Sequence, residues 1–208
     1  VLTTPLIDPV TGVLVPNSPL GGSMVAKMNN TSVGGKVIKM TQNFLVTNSN
    51  YLYDFAYYAV QNGPHTCCQQ PYMFVRLRDC VNNLLSCPNF TFNAPATNSN
   101  LCPGTGPTNW INTGVCPGGQ CIWRTNGWQK YSMDLTQYIG TCVTVEVMVA
   151  DCSPTGHYLY TYFDSNCNTM NLIVNGTNTV SMPSQTVTPQ VLCGTTATLT
   201  APGGLNPY

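Results

Sequence analysis

Between Cys142 and Ala150 the chain reads CVTVEVMVA, in which Val143, Val145, Val147 and Val149 alternate with Thr144, Glu146 and Met148. Successive side chains on a strand point to opposite faces, so this period of two predicts a half-buried antiparallel strand with its valines inward. Strand-like runs recur in SMVAKMN, KVIKMTQNFLV, NYLYDFAYYAV and PYMFVRLRD, in a short piece at Phe90-Thr91-Phe92, and again over 121–124, 128–133 and 157–164. In NYLYDFAYYAV, Tyr51, Tyr53, Phe55 and Tyr57 share one face, and Leu52, Asp54, Ala56 and Tyr58 the other. No apolar period of 3.6 residues is sustained. One helical turn is expected over 134–140, with Asp134 placed to cap it and Gly140 to end it. The pattern predicts an all-β fold, an antiparallel β-sandwich with very little helix.

Eleven cysteines in 208 residues narrow the choice further. A zinc site gathers four nitrogen or sulfur ligands in a close cluster, whereas this chain offers two histidines and no convincing CxxC spacing. The cysteines are therefore read as disulfides, which implies export to an oxidising compartment and an extracellular or cell-surface location. Cys152 with Cys167 is the first candidate bridge, joining the ends of two adjacent strands, and Cys80 with Cys87 the second. Cys67, Cys68, Cys102, Cys116, Cys121 and Cys142 are further candidates. Vicinal Cys67 and Cys68 are expected to pair elsewhere, or one of them with a neighbouring subunit. Connectivity itself does not follow from spacing.

Charge excludes other classes. Only 7% of the residues are charged, seven basic against seven acidic, where about 25% is usual for a soluble protein. A nucleic-acid footprint or a basic membrane stripe cannot be assembled from so few, and no apolar run is long enough to span a bilayer. A skin of Asn, Thr, Ser and Gln is compatible with packing beside copies of itself, because like-charge repulsion between them is small.

Three segments are expected. Residues 1–22, with four prolines and three glycines, read as an extended arm. Residues 23–170 read as the sandwich, its middle (about 86–121) made of long disulfide-stapled loops. Residues 171–208 read as a linker and the start of a following module, or as an assembly strand or tail. Val1–Pro5 lacks the basic and apolar regions of a signal peptide, so the chain reads as an internal or processed segment.

The blocks PLGGSMVAKMNN, GPH…QQPYMFVRLRDC and WQKYSMDLTQYIGTCVTVEVMVADCSPTGHYLYTYFDSNC resemble, as an ordered set over about residues 5–167, a module of giant secreted surface proteins of the Bacteroidota. Those proteins also carry PKD- or immunoglobulin-like repeats and gliding-motility-type C-terminal sorting domains. The segment is also similar to the jelly-roll class of carbohydrate-binding modules and MAM-type domains. The resemblance implies a jelly-roll sandwich followed by the opening strand of an Ig-like module, whose cysteine, Cys193, would be unpaired here or bridge between modules. Cys67-Cys68, Cys142 and the insertion from Cys102 to Cys121 depart from the pattern.

Candidate functional residues are few. A Ser or Cys nucleophile needs a base, and only His65 and His157 are available, so catalysis is not expected. His65, Gln70, Asp151 and His157 are candidate binding residues. Asp164, at a strand end, is a candidate ligand for a structural calcium ion, with no other cofactor required. The bland alternative is that Asp151 and Asp164 accept turn N–H groups and His157 packs at a sheet end. Tyr158, Tyr160 and Tyr162 form a ladder that suits a core or a sheet face better than a sugar platform. The sequons at Asn29, Asn30, Asn89 and Asn175 are formal matches only. Two functions remain: a structural or adhesive module that contacts its own copies by strand addition or disulfide, or a carbohydrate-binding module for surface glycans.

Overall fold

The computed structural model describes residues 1–62, 69–86, 90–93, 110–168, 170–174, 177–182 and 199–200. Short strands β1 (Leu2–Thr3), β2 (Leu6–Ile7) and β3 (Leu14–Val15) lead into β4 (Met24–Met28), β5 (Val37–Leu45), β6 (Leu52–Asn62), β7 (Tyr72–Asp79) and β8 (Phe90–Asn93). After these come β9 (Trp110–Asn112), β10 (Ile122–Thr125), β11 (Gln129–Asp134), β12 (Cys142–Ala150) and β13 (Leu159–Asn168).

Two antiparallel sheets form a sandwich. One runs β1-β4-β13-β6, and the far edge of the long β6 takes β11 along Leu52–Tyr57 and β10 along Val60–Asn62, with β9 beyond β10. The other runs β5-β12-β7-β8. The chain crosses between sheets at most connections, giving the orders β4-β13-β6-β11 and β5-β12-β7-β8. Two interlocked Greek keys of this kind make a jelly roll. The expected helical turn is there too, as the 3-10 turn Thr136–Tyr138, with the Asp134 carboxylate accepting the Thr136 N–H at 2.9 Å. Gly140 follows with φ +85°, a left-handed conformation that ends it.

Between the sheets lies the main core. Val143, Val145, Val147 and Val149 of β12 face inward as the alternation predicts, against Tyr51, Tyr53, Phe55 and Tyr57. The Phe55 ring stacks on Tyr131 at 5.7 Å and on Phe163 at 5.9 Å between centroids. β6 is buried along its whole length and on both faces. Its second face carries Tyr58 and Val60 into a separate cluster with Tyr160 and Tyr162. That cluster is closed over by Leu6, Val10 and Val15, so residues 1–22 lie packed on the sandwich.

The disulfides differ from the expected pairs. Cys80 bridges Cys142, not Cys87, because β7 and β12 are neighbours and Asp79 pairs with Val143. Cys152 and Cys167 are both free. The strands before and after Cys152 belong to different sheets, and Cys167 sits near the far end of β13, about 25 Å along the strand. A bridge needs Cα atoms within about 7 Å. Cys116 bridges Cys121 across the turn before β10. Cys67, Cys68, Cys87, Cys102 and Cys193 lie outside the described residues, as does His65.

After β13, a separate antiparallel sheet starts at Met170, formed by β14 (Met170–Val174), β15 (Thr177–Met182) and β16 (Leu199–Thr200).

The Cys80–Cys142 bridge closes a loop with a sequence separation of 62. Replacing both cysteines by serine is expected to lower the unfolding free energy by about 4 kcal/mol, the closure entropy of a loop that long. The check is urea unfolding under non-reducing conditions, and an unchanged midpoint would refute it.

Candidate functional site

The most heavily bonded carboxylate among the described residues belongs to Asp8, in the loop of the β2–β3 hairpin. The loop is closed by backbone bonds from Asp8 N to Val13 O and from Gly12 N to Asp8 O, both 2.9 Å. Gly12 has φ +67°, where a side chain is disfavoured. Asp8 Oδ1 accepts the N–H groups of Val10 and Thr11 and the Thr11 hydroxyl at 3.1, 2.8 and 2.9 Å. Oδ2 accepts the hydroxyls of Tyr160 and Tyr162, each at 2.7 Å. Asp8 is 0% exposed. Burial pushes its carboxyl pKa up, but the bonds from Thr11, Tyr160 and Tyr162 together outweigh this and hold it below the ordinary value. Burial, and then the Asp8 charge and hydrogen bonds, push both phenols well above their usual range, so they remain donors.

This places the Tyr160/Tyr162 ladder under the chain's own N-terminal segment. Lys27 Nζ stands 4.3 Å from the Tyr160 ring centroid, a cation–π contact beside the buried carboxylate. Trp128 Nε1 donates to Pro16 O at 2.9 Å and ties down the end of the hairpin. The ladder is therefore occupied surface, not a platform open to a sugar.

A second charged cluster lies on the outer face of the other sheet. Glu146 is almost buried and faces Lys39 Nζ at 3.4 Å, Arg78 Nε at 3.3 Å and Arg76 Nε within hydrogen-bonding distance. These side chains meet because Glu146 lies opposite Thr41 on one side and Arg76 on the other, with Lys39 and Arg78 in the adjacent rows. Burial pushes the Glu146 carboxyl up, while the hydrogen bond and charge of Arg76, the charge of Arg78 and the Lys39 contact pull it below its ordinary value.

The turn between β12 and β13 holds two of the four predicted binding residues, Asp151 and His157. Asp151 Oδ1 accepts Asn29 Nδ2 at 2.8 Å and Oδ2 accepts the Lys36 N–H at 2.9 Å. Asp151 is thus a bracket for the chain between β4 and β5, the bland reading. Cys152 Sγ accepts the His157 N–H at 3.1 Å and lies 3.6 Å from His157 Nδ1. His157 Nε2 meets Gln120 Oε1. An amide oxygen only accepts, so Nε2 carries a proton, and in the neutral ring Nδ1 is then an acceptor facing the thiol. The pair resembles a thiol–imidazole dyad in geometry, yet both residues are buried, 0% and 4% exposed, which keeps the thiol from an external substrate. Gln70 is buried nearby in sequence to β7 and accepts from Gln61 Nε2 at 3.5 Å.

Asp164 stands apart from these residues. Its Oδ2 lies 3.3 Å from where a Cβ on Gly22 would sit, so the absence of a side chain there admits the carboxylate. Among the described residues no group of three His, Cys, Asp or Glu side chains is placed to hold a metal ion. Asp8, Gln120 and the Glu146 cluster were not singled out in the sequence. The signal for Asp8 was present in Asp8-Pro-Val-Thr-Gly12, a turn sequence carrying the sole charge of the first 26 residues.

No family model matches the chain, and neither a curated relative nor a solved structure does.

Asp8→Asn removes a charged acceptor from two tyrosines and is expected to cost about 1.5–3 kcal/mol at neutral pH. Since the folded-state pKa lies below 3.8, the contribution is complete above that value and is lost as pH falls through the folded pKa. Urea unfolding at pH 7 and near pH 2 should therefore show the gap between wild type and variant narrowing in acid. An equal gap at both would contradict the assignment.

Proposed function

We propose that the chain is a non-catalytic structural or adhesive module of an extracellular, cell-surface assembly. The observation that carries this reading is where its few charges go. Every Asp, Glu, Lys and Arg lies between Asp8 and Asp164. Asp8 and Asp151 are buried in hydrogen bonds, and Glu146 is ringed by Lys39, Arg76 and Arg78. Asp54 holds Ser132 and faces Lys130 at 3.9 Å, and Asp79 and Asp134 accept turn N–H groups. With charge so sparse, the surface can lie against another copy with little repulsion.

Disulfides point to an oxidising environment, and no helix among the described residues is long and apolar enough to cross a membrane. The resemblance of the ordered sequence blocks to Bacteroidota surface modules favours the same reading. The carbohydrate-binding alternative loses its most obvious platform to residues 1–22.

Association through neutral surfaces should not depend on ionic strength. Sedimentation of the purified chain is expected to show concentration-dependent self-association that is the same in about 0.01 M and 1 M salt. A chain that stays monomeric throughout, yet is retained on a glycan array, would overturn this reading in favour of the carbohydrate-binding one.

A further inference from the structure

We propose that β5 is a self-complementary edge through which two copies of the chain join, antiparallel about Thr41, so that their β5-β12-β7-β8 sheets become one continuous sheet. The inference rests on the assembly reading above and names the surface and the partner.

β5 pairs only with β12, over all nine residues from Val37 to Leu45 and without a bulge. Its other edge has no partner strand among the described residues. Protein sheets usually protect such an edge by making it short, bulged, proline-containing or charged. This one is long, unbroken and free of proline. Its single charge, Lys39, is answered by Glu146 at 3.4 Å. Val37 and Leu45 at its two ends are each 55% exposed, and Ile38 is 40% exposed.

The order of side chains suits a second copy of the same strand. An antiparallel pairing centred on Thr41 sets Val37 opposite Leu45, Ile38 opposite Phe44, Lys39 opposite Asn43, Met40 opposite Gln42, and Thr41 opposite itself. Apolar residues meet at both ends, a polar centre lies on the axis, and no charge faces a like charge. The two Lys39 groups would stand about 14 Å apart along the strands, more than the roughly 8 Å Debye length at physiological salt. Centring on Lys39 instead would oppose two lysines and leave four residues of each strand unpaired. Opposed residues share a face, so the two-fold axis runs through the sheet and the interface is isologous, the commonest arrangement of protein dimers.

The flank beneath β5 is also open. Met40 and Gln42, on its inner face, line a cavity of about 190 Å³ with Tyr53, Val145, Val147 and Ser165. Gln42 stays exposed although it points between the sheets. A second β5 would cover that opening with its own Met40 and Gln42.

Two variants test the proposal on the full chain. Thr41→Lys places lysines opposite each other on the axis and is expected to weaken the dimer about fivefold. Thr41→Cys brings two cysteines directly opposite and should form an intermolecular 41–41 disulfide much faster than Ser49→Cys, an exposed control off the strand. If the wild type associates, T41K associates equally well and T41C cross-links no faster than S49C, the β5 interface is refuted and the assembly reading stands. If the wild type is monomeric to about 1 mM and T41C does not cross-link, both fall.

Discussion

β6 is the strand that the rest of the fold must satisfy. It is buried along all eleven residues, so it needs a cover on each face. One face takes β12 and its valines across the sandwich; the other takes residues 1–22. Each large side chain fully buried there contributes about 1.5–3 kcal/mol, but on the outer face that gain requires a carboxylate to go under with the hairpin. Asp8 can be buried because five donor groups converge on it, two of them phenols projecting from β13 beside β6. Desolvation alone would have expelled it or neutralised it. Asp8 and its donors thus join the apolar contacts of Leu6, Val10 and Val15 in holding the N-terminal segment as the second layer on that sheet.

The same economy applies to the other charges. In a chain with so few, an unpaired buried charge would be a large share of the marginal stability of any domain. Glu146 shows how this is avoided on a sheet: three cations come from three different positions on the two strands flanking β12. The Arg76 guanidinium also lies 4.1 Å from the Phe74 ring centroid, which keeps it flat on the sheet.

How much could be read in the sequence varied with how local the cause was. β12 was legible because its alternation is set by the two faces of one strand. The helical turn at Thr136–Tyr138 was legible because Asp134 and Gly140 act within a few residues. The β6 run was divided by alternation into two faces, and neither was assigned a cover, although a near-continuous apolar stretch is also the sign of burial on both. The cover for the second face, Asp8 with Tyr160 and Tyr162, spans more than 150 positions and left no local periodicity. Cys152 and Cys167 were misread because strands adjacent in sequence were taken as adjacent in space. In a Greek key, β12 and β13 go to different sheets, while Cys80 and Cys142, far apart in sequence, end on neighbouring strands. Asp151 and His157 were read as candidate binding residues, but the partners that define them, Asn29, Lys36 and Gln120, come from elsewhere in the chain.

The two sheets are finished differently, and the difference follows from chain order. The sheet containing β6 receives the chain's beginning, so its outer face is roofed by the β2–β3 hairpin and its β4 edge is met by β1. At its other side β9 continues beyond β10. The sheet containing β12 has β8 beyond β7 at one edge, while at the other it ends on β5. Its outer face carries the ion cluster with Thr144, Met148, Tyr72 and Phe74, and on β5 Val37, Thr41, Asn43 and Leu45. A strand whose side chains are mostly exposed contributes little burial to the fold it belongs to. β5 is therefore held mainly by its backbone ladder to β12 and by Met40 and Phe44 against the core. The sheet containing β6 is covered on both faces, whereas the other ends at β5 on an edge with no partner strand among the described residues.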